Sequence, residues 1–153
     1  MDLDLDVVRN KVATIERCIR RIDEEYQSQP ENLKNYTKQD AIILNVQRAC
    51  EAAIDLAMHL CSKNKLGIPQ DSRGGFELLA ENLIITNELA KTLKGMVGFR
   101  NVAVHDYKSL NLAILQVIIE KHLDELLEFG EVLLKSQLDK PVITFPASIN
   151  HWQ

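Results

Sequence analysis

The densest cluster of chemically capable side chains in this sequence is FRNVAVHDYK, residues 99–108. Arg100, His105 and Tyr107 stand there in the order R-x-x-x-x-H-x-Y. A guanidinium stays charged at any working pH, imidazole as a side-chain type titrates near neutrality, and a phenol both donates and accepts. Arginine is suited to gripping phosphate oxygens and to stabilising the extra charge of a pentacovalent transition state. Histidine is suited to proton transfer at a ribose 2′-hydroxyl or a leaving oxygen. Tyrosine can donate to phosphate, stack on a base or itself be modified. None of these roles calls for a metal or a cofactor. The chain offers no H-E-x-x-H, no clustered Cys/His ligands and no P-loop, which disfavours a metallohydrolase or an NTPase. Spacing alone leaves a blander reading open, in which a histidine after a helix simply caps its carbonyls.

The elements around the cluster read as helices. Val8, Val12, Ile15, Ile19, Ile22 and Tyr26 recur at intervals of four and three, which predicts an amphipathic helix from about residue 3 to 28. After the polar connection PENLKNY, Thr37-Lys38-Gln39-Asp40 has the form of a capping box and opens a second helix to about Lys63. Its run AIILNVQRACEAAIDLAMHLC is apolar on nearly every side, so it must be the central helix. Glu51, Asp55 and His59 share one narrow face of it, either paired and solvated or lining a functional cleft. NKLGIPQDSRGG, residues 64–75, reads as a loop, and FELLAENL as a short third helix. Thr86 or Asn87 can cap a fourth helix with Leu89, Leu93, Val97, Arg100 and Val104 on one face. Ser109 or Asn111 can cap a fifth, ending near Gln137, whose stripe is Leu112, Leu115, Ile119, Leu123, Leu126 and Leu133, widened by Ile114, Val117 and Ile118. The expectation is an all-α up-down bundle of four long helices and one short one. It occupies residues 1–138, followed by an extended C-terminal tail, 139–153, which alone reads as frayed. On a continuous helix Arg100 and His105 would point about 140° apart. A helix ending near Val104 would instead let the chain turn His105 and Tyr107 back over Arg100.

Composition bounds the function. The 153 residues include 18 Lys or Arg and 22 Asp or Glu, a net charge of −4, with 46% apolar and 26% charged residues. That suits a soluble globular chain and excludes a generic nucleic-acid coat, which needs a surplus of cations. No apolar run is long enough for a membrane span, and the acidic start is unlike a signal peptide. Cys18, Cys50 and Cys61 form no C-x-x-C, and Cys50 and Cys61 would lie about 16 Å apart on one helix. They read as small buried hydrophobes in a reducing cytoplasm. Locally the balance reverses. Lys91, Lys94 and Arg100 stand with no acid between residues 89 and 105, and Lys108 follows Asp106. A twofold axis would double that field. Gly95 and Gly98 in the fourth helix allow either the close approach of another helix or a distorted helix end.

The pattern R-N-x-x-x-H-x-Y, with the flanking run GFELLAENLIITNELAKTLKGMVGFRNVAVHDY and upstream QRACEAAIDLAMHL, resembles the HepT-like branch of the HEPN superfamily over roughly residues 1–136. The resemblance implies a HEPN-like bundle and a homodimer that brings two motifs into one cleft. It implies a toxin that acts as a metal-independent endoribonuclease leaving 2′,3′-cyclic phosphate ends. Arg100 and His105 would be catalytic, and Tyr107 would position RNA and accept AMP from the partner antitoxin, an MntA-like minimal nucleotidyltransferase. Asn101, Lys94 and Lys108 would support them. AMP on Tyr107 would inhibit by charge repulsion and occlusion where an RNA phosphate must sit. The alternative is a non-catalytic HEPN adaptor that binds nucleotide or a nucleotidyltransferase.

Overall fold

A computed structural model of the protein describes residues 3–139. The tail expected at 139–153 lies, but for its first residue, outside the described residues. Six α-helices follow in order: α1 Leu3–Tyr26, α2 Tyr36–Lys63, α3 Gly74–Glu81, α4 Asn87–His105, α5 Leu112–Val117 and α6 Leu123–Leu138. Among the described residues there is no strand, and no helix is long and apolar enough to cross a membrane. The last two helices are the halves of the expected fifth helix, interrupted by a π-turn over Ile118–His122. Counted that way, four long helices and one short one form the bundle the periodicity predicts.

Most of the stripes land where expected, but Val104 of the fourth helix and Leu112, Ile114 and Val117 of the fifth are exposed. Val8, Val12, Ile15, Ile19, Ile22 and Tyr26 are all buried on the inner face of α1. The central helix is α2, packed against α1, α3, α4 and α6, with thirteen residues buried from Ile42 to Cys61. Phe76 of α3 and Phe129 of α6 meet edge to face beneath it, their ring centroids 5.4 Å apart. Gly75 lets α3 approach α2 closely, because a Cβ there would lie 3.1 Å from that of Ala57. All three cysteines are free and buried.

The differences from expectation are local. Gln27 and Ser28 adopt left-handed φ values of 53° and 55°, which ends α1 at Tyr26 rather than near residue 28. The following connection contains a 3₁₀ turn, Pro30–Lys34, that buries Leu33. The N-cap of α2 is Asn35, whose side chain accepts from the Lys38 amide, so the Thr37 box lies inside the helix. That displacement frees Asp40 from any capping role. The Glu51, Asp55 and His59 face proves to be internally paired rather than a cleft lining. Gln47 donates to Glu51 at 2.9 Å, Lys11 pairs with Asp55 at 3.2 Å, and His59 Nε2 lies 3.4 Å from Asp4.

The π-turn has a partner across the bundle. Tyr26, at the end of α1, donates its hydroxyl to Glu120 within that turn. Burial, then the hydrogen bond and charge of Glu120, push the tyrosine's pKa up to about 12. Leu115 and Leu123, on either side of the turn, are both buried.

Candidate active site

Arg100, His105 and Tyr107 are placed by the C-terminal end of α4 and the turn that follows it. Thr86 caps the helix, accepting from the Leu89 amide at 3.1 Å, and Leu89, Leu93 and Val97 anchor it in the core. The helix runs through Gly95 and Gly98 without distortion and ends at His105, not before it. Asp106 then breaks the helix with φ −152° and ψ 62°, and Tyr107–Ser109 form a 3₁₀ turn closed by the Ser109 hydroxyl on Asp106 at 2.6 Å. Asn111 opens α5 by accepting from the amides of Ala113 and Ile114.

Of the two arrangements that the sequence left open, this geometry selects the continuous helix. Arg100 and His105 sit on it five residues apart, so they diverge by about 140° and by about 7.5 Å along the axis. Arg100 is half-buried and donates from Nη2 to Ser72 Oγ at 2.9 Å, in the loop before α3. Its Nε is buried without a hydrogen-bond partner. Its charge also reaches Cys50, where it partly opposes the upward push of burial on that thiol. Tyr107 is 42% exposed and donates its hydroxyl to Asp40, ten residues nearer the start of α2 than Cys50. Desolvation, then the hydrogen bond and charge of Asp40, push the Tyr107 pKa up to about 12. His105 is exposed at the helix end between them. Among the described residues, no hydrogen bond joins the three motif side chains to one another. They fan out around the end of one helix.

The surrounding charge is less uniform than the sequence suggests. Lys94 pairs with Glu77 of α3 at 3.5 Å, so part of the basic segment is neutralised from another helix. Lys91 and Lys108 are exposed, Asn101 is half-buried, and Asp40 adds a carboxylate at Tyr107. Three residues beside the motif escaped the sequence reading: Asp40, Ser72 and Arg73. Arg73 donates from Nε to the Lys94 carbonyl at 3.1 Å, and its Nη2 lies 3.1 Å from where a Cβ on Gly98 would be. The loop's Asp71, whose Oδ1 accepts from the amides of Arg73 and Gly74, was the only local sign that SRGG is an ordered turn.

A groove runs along α4 and α5 up to the motif end. Its larger part, about 720 Å³, is lined by Lys91, Gly95, Met96, Ile114, Val117 and Ile118, among others. A smaller part of about 280 Å³ continues past Gly98 to Val102 and Ser109. Ile114 and Val117 are 52% and 44% exposed, and a Cβ on Gly95 would meet nothing within 4 Å. Among the described residues, no other helix comes within 4 Å of a Cβ on Gly95, while at Gly98 the close neighbour is the Arg73 side chain.

Comparison with known proteins agrees with the motif. The ribonuclease HepT-like family matches residues 15–133. The mRNA nuclease HepT of Shewanella oneidensis is 48% identical over 128 residues, 84% of this chain and 96% of that protein. The solved structure of a tri-AMPylated HEPN toxin from Shewanella oneidensis in complex with MNT antitoxin superposes with a TM-score of 0.79 at 49% identity, covering 84% of this chain and 96% of that one. A toxin–antitoxin structure with AMP-PNP gives a TM-score of 0.79 at 48% identity, over 84% and 98% of the two chains. With the family matched across most of the bundle and the motif intact at the end of α4, the chain belongs to the ribonuclease HepT-like family.

Proposed function

We propose that the protein is the toxin of a toxin–antitoxin pair, a homodimeric endoribonuclease that a partner nucleotidyltransferase silences by attaching AMP to Tyr107. The observation that carries this reading is the end of α4. There an exposed imidazole and an exposed phenol follow, within seven residues, a guanidinium with a buried, unpartnered Nε, in a chain about half identical to an mRNA nuclease. The relative solved as a tri-AMPylated toxin with its antitoxin supports the second half of the proposal.

In the cleavage step Arg100 holds the scissile phosphate and neutralises the charge that builds on its oxygens. His105 removes the ribose 2′-hydroxyl proton as that oxygen bonds to phosphorus. The bond from phosphorus to the 5′-oxygen breaks, and the leaving oxygen takes a proton from an acid. The products are a 2′,3′-cyclic phosphate and a 5′-hydroxyl end. Because the motif fans out in one protomer, the same histidine of a second copy is the natural source of that acid. Asn101, Lys94 and Lys108 support the RNA backbone, Lys94 with its charge shared by Glu77.

The groove between α4 and α5 supports the homodimer. It is apolar, open at Gly95, and continuous with the motif end, so a second copy docked there would bring two motifs to one cleft. In the silencing step, Tyr107 Oη bonds to the α-phosphorus of ATP and the bond to the β-phosphate oxygen breaks. Pyrophosphate leaves and the phenol proton passes to a base; Asp40 already accepts from that hydroxyl.

The test is His105→Ala. It should abolish RNA cleavage and growth inhibition while leaving the thermal unfolding profile unchanged, and cleavage at the parent rate would sink the reading. Incubation of the parent with ATP, magnesium and the partner enzyme should add mass in units of AMP on Tyr107 and stop cleavage.

A further inference from the structure

We propose that Arg73 is a second RNA-binding residue, which holds a phosphate neighbouring the one that Arg100 holds for cleavage. The proposal rests on the ribonuclease reading and adds to it a residue that lies outside the R-x-x-x-x-H-x-Y motif, in the loop before α3.

Three observations converge on the site. The first is placement. Arg73 Nε is fixed on the Lys94 carbonyl and its Nη2 reaches Gly98, so the guanidinium lies along α4 just before Arg100. The adjacent Ser72 hydroxyl is held by Arg100 itself. Two consecutive loop residues thus reach α4, Arg73 with a guanidinium at Lys94 and Gly98 and Ser72 with a hydroxyl at Arg100. The loop is held for this by Asp71, whose carboxylate oxygen closes the turn on two backbone amides.

The second observation is charge. Among the described residues, neither Arg73 nor Arg100 has a carboxylate within salt-bridge distance, although the neighbouring Lys94 is paired with Glu77. A guanidinium left without a carboxylate partner attracts a phosphate. Guanidinium forks match phosphate oxygens in geometry as well as charge. The third observation is unused donor capacity. Among the described residues the Arg73 side chain makes one hydrogen bond, from Nε to the Lys94 carbonyl, which leaves its Nη donors for a phosphate.

A role confined to tethering the loop explains less. The tether is one bond from Nε to a backbone carbonyl, which a neutral amide could make equally well. Gly98 also fits the ligand reading. Glycine within a helix costs about 1 kcal/mol relative to alanine, and here it leaves space for the far end of the Arg73 side chain. Seven residues separate Gly98 from His105, about 10 Å along the helix axis. The phosphate held by Arg73 is therefore a neighbour of the scissile one and not the scissile phosphate itself.

Cleavage of a single-stranded oligoribonucleotide by the full chain, measured across a salt series, tests the site. Arg73→Gln should raise KM about tenfold with kcat within about twofold, and should flatten the slope of log(kcat/KM) against log[salt] by about 0.7, the share of one lost phosphate contact. Arg73→Lys, which keeps the charge but not the Nε bond, should retain the parent slope. Parent-like KM and slope in Arg73→Gln would overturn the proposal. So would equal losses in both variants with an unchanged slope, the signature of a loop tether. If the parent cleaves no RNA, it is the ribonuclease reading that fails. Fluorescence anisotropy with the same oligoribonucleotide then decides the site, because Arg73→Gln must still bind more weakly and with a shallower salt slope than the parent.

Discussion

The bond between Tyr107 and Asp40 joins the turn after α4 to the first turns of α2, across 67 residues of sequence, and its contribution can be isolated. A hydrogen bond to a charged group contributes about 1.5–3 kcal/mol when sheltered from water. Here Asp40 is exposed and Tyr107 is 42% exposed, so solvent and salt screen it toward the range of surface pairs, about 0.2–1 kcal/mol. We expect a coupling of about 0.7 kcal/mol in a cycle of Asp40→Ala, Tyr107→Phe and the double variant, measured by urea unfolding near pH 7. The pH dependence has a defined sign. The Tyr107 pKa is raised from 10.0 to about 12, so the folded state favours the protonated phenol. Its contribution is whole below pH 10 and disappears as pH rises through the window from 10 to 12. Tyr26, raised to about 12 beside Glu120, titrates in the same window, which is why the cycle is needed and not a single variant. AMP on Tyr107 makes a sharper version of the test. The esterified oxygen has no proton to donate, and its phosphodiester would face the Asp40 carboxylate. In the modified protein Asp40→Ala should therefore become neutral or stabilising. A coupling below about 0.3 kcal/mol, the noise of additivity for independent sites, would refute the reasoning.

Two further expectations follow from the groove and the cap. The double substitution Ile114→Asp and Val117→Asp should convert a dimer to a monomer in analytical ultracentrifugation with little effect on the unfolding of the monomer, because both side chains are about half exposed in the protomer. An unchanged sedimentation coefficient would show that the copies meet elsewhere. Thr86→Ala removes the acceptor for the Leu89 amide and should destabilise the protein by about 1 kcal/mol, or about 2–4 °C in Tm for a chain of this size. RNA cleavage by that variant should be preserved at 25 °C, since the cap lies at the far end of α4 from His105.

The helices and their inward faces were legible in the sequence because helical periodicity is a local property. Val8 to Tyr26 repeat at intervals that only one face of a helix satisfies, and the run from Ala41 to Cys61 has too little polar surface to lie anywhere but the centre. The motif was legible for the same reason, since Arg100, His105 and Tyr107 lie within eight residues of one another. The interruption of the last helix at Ile118–His122 was not, because its apolar stripe runs on through the π-turn. What each motif side chain touches was also out of reach. Ser72 is 28 residues from Arg100, and Asp40 is 67 from Tyr107. Such pairs leave no period in the chain, and Asp40 read more naturally as part of a helix cap. The charge around the site was decided the same way, when α3 brought Glu77 to Lys94 and the loop before it brought Arg73 to Gly98. Sequence by itself determined which groups could do chemistry and which helices would carry them. Only the packing of α2, α3 and α4 decided which of those groups are tied up, because long-range contacts arise when separate apolar faces are buried together and carry their polar neighbours with them.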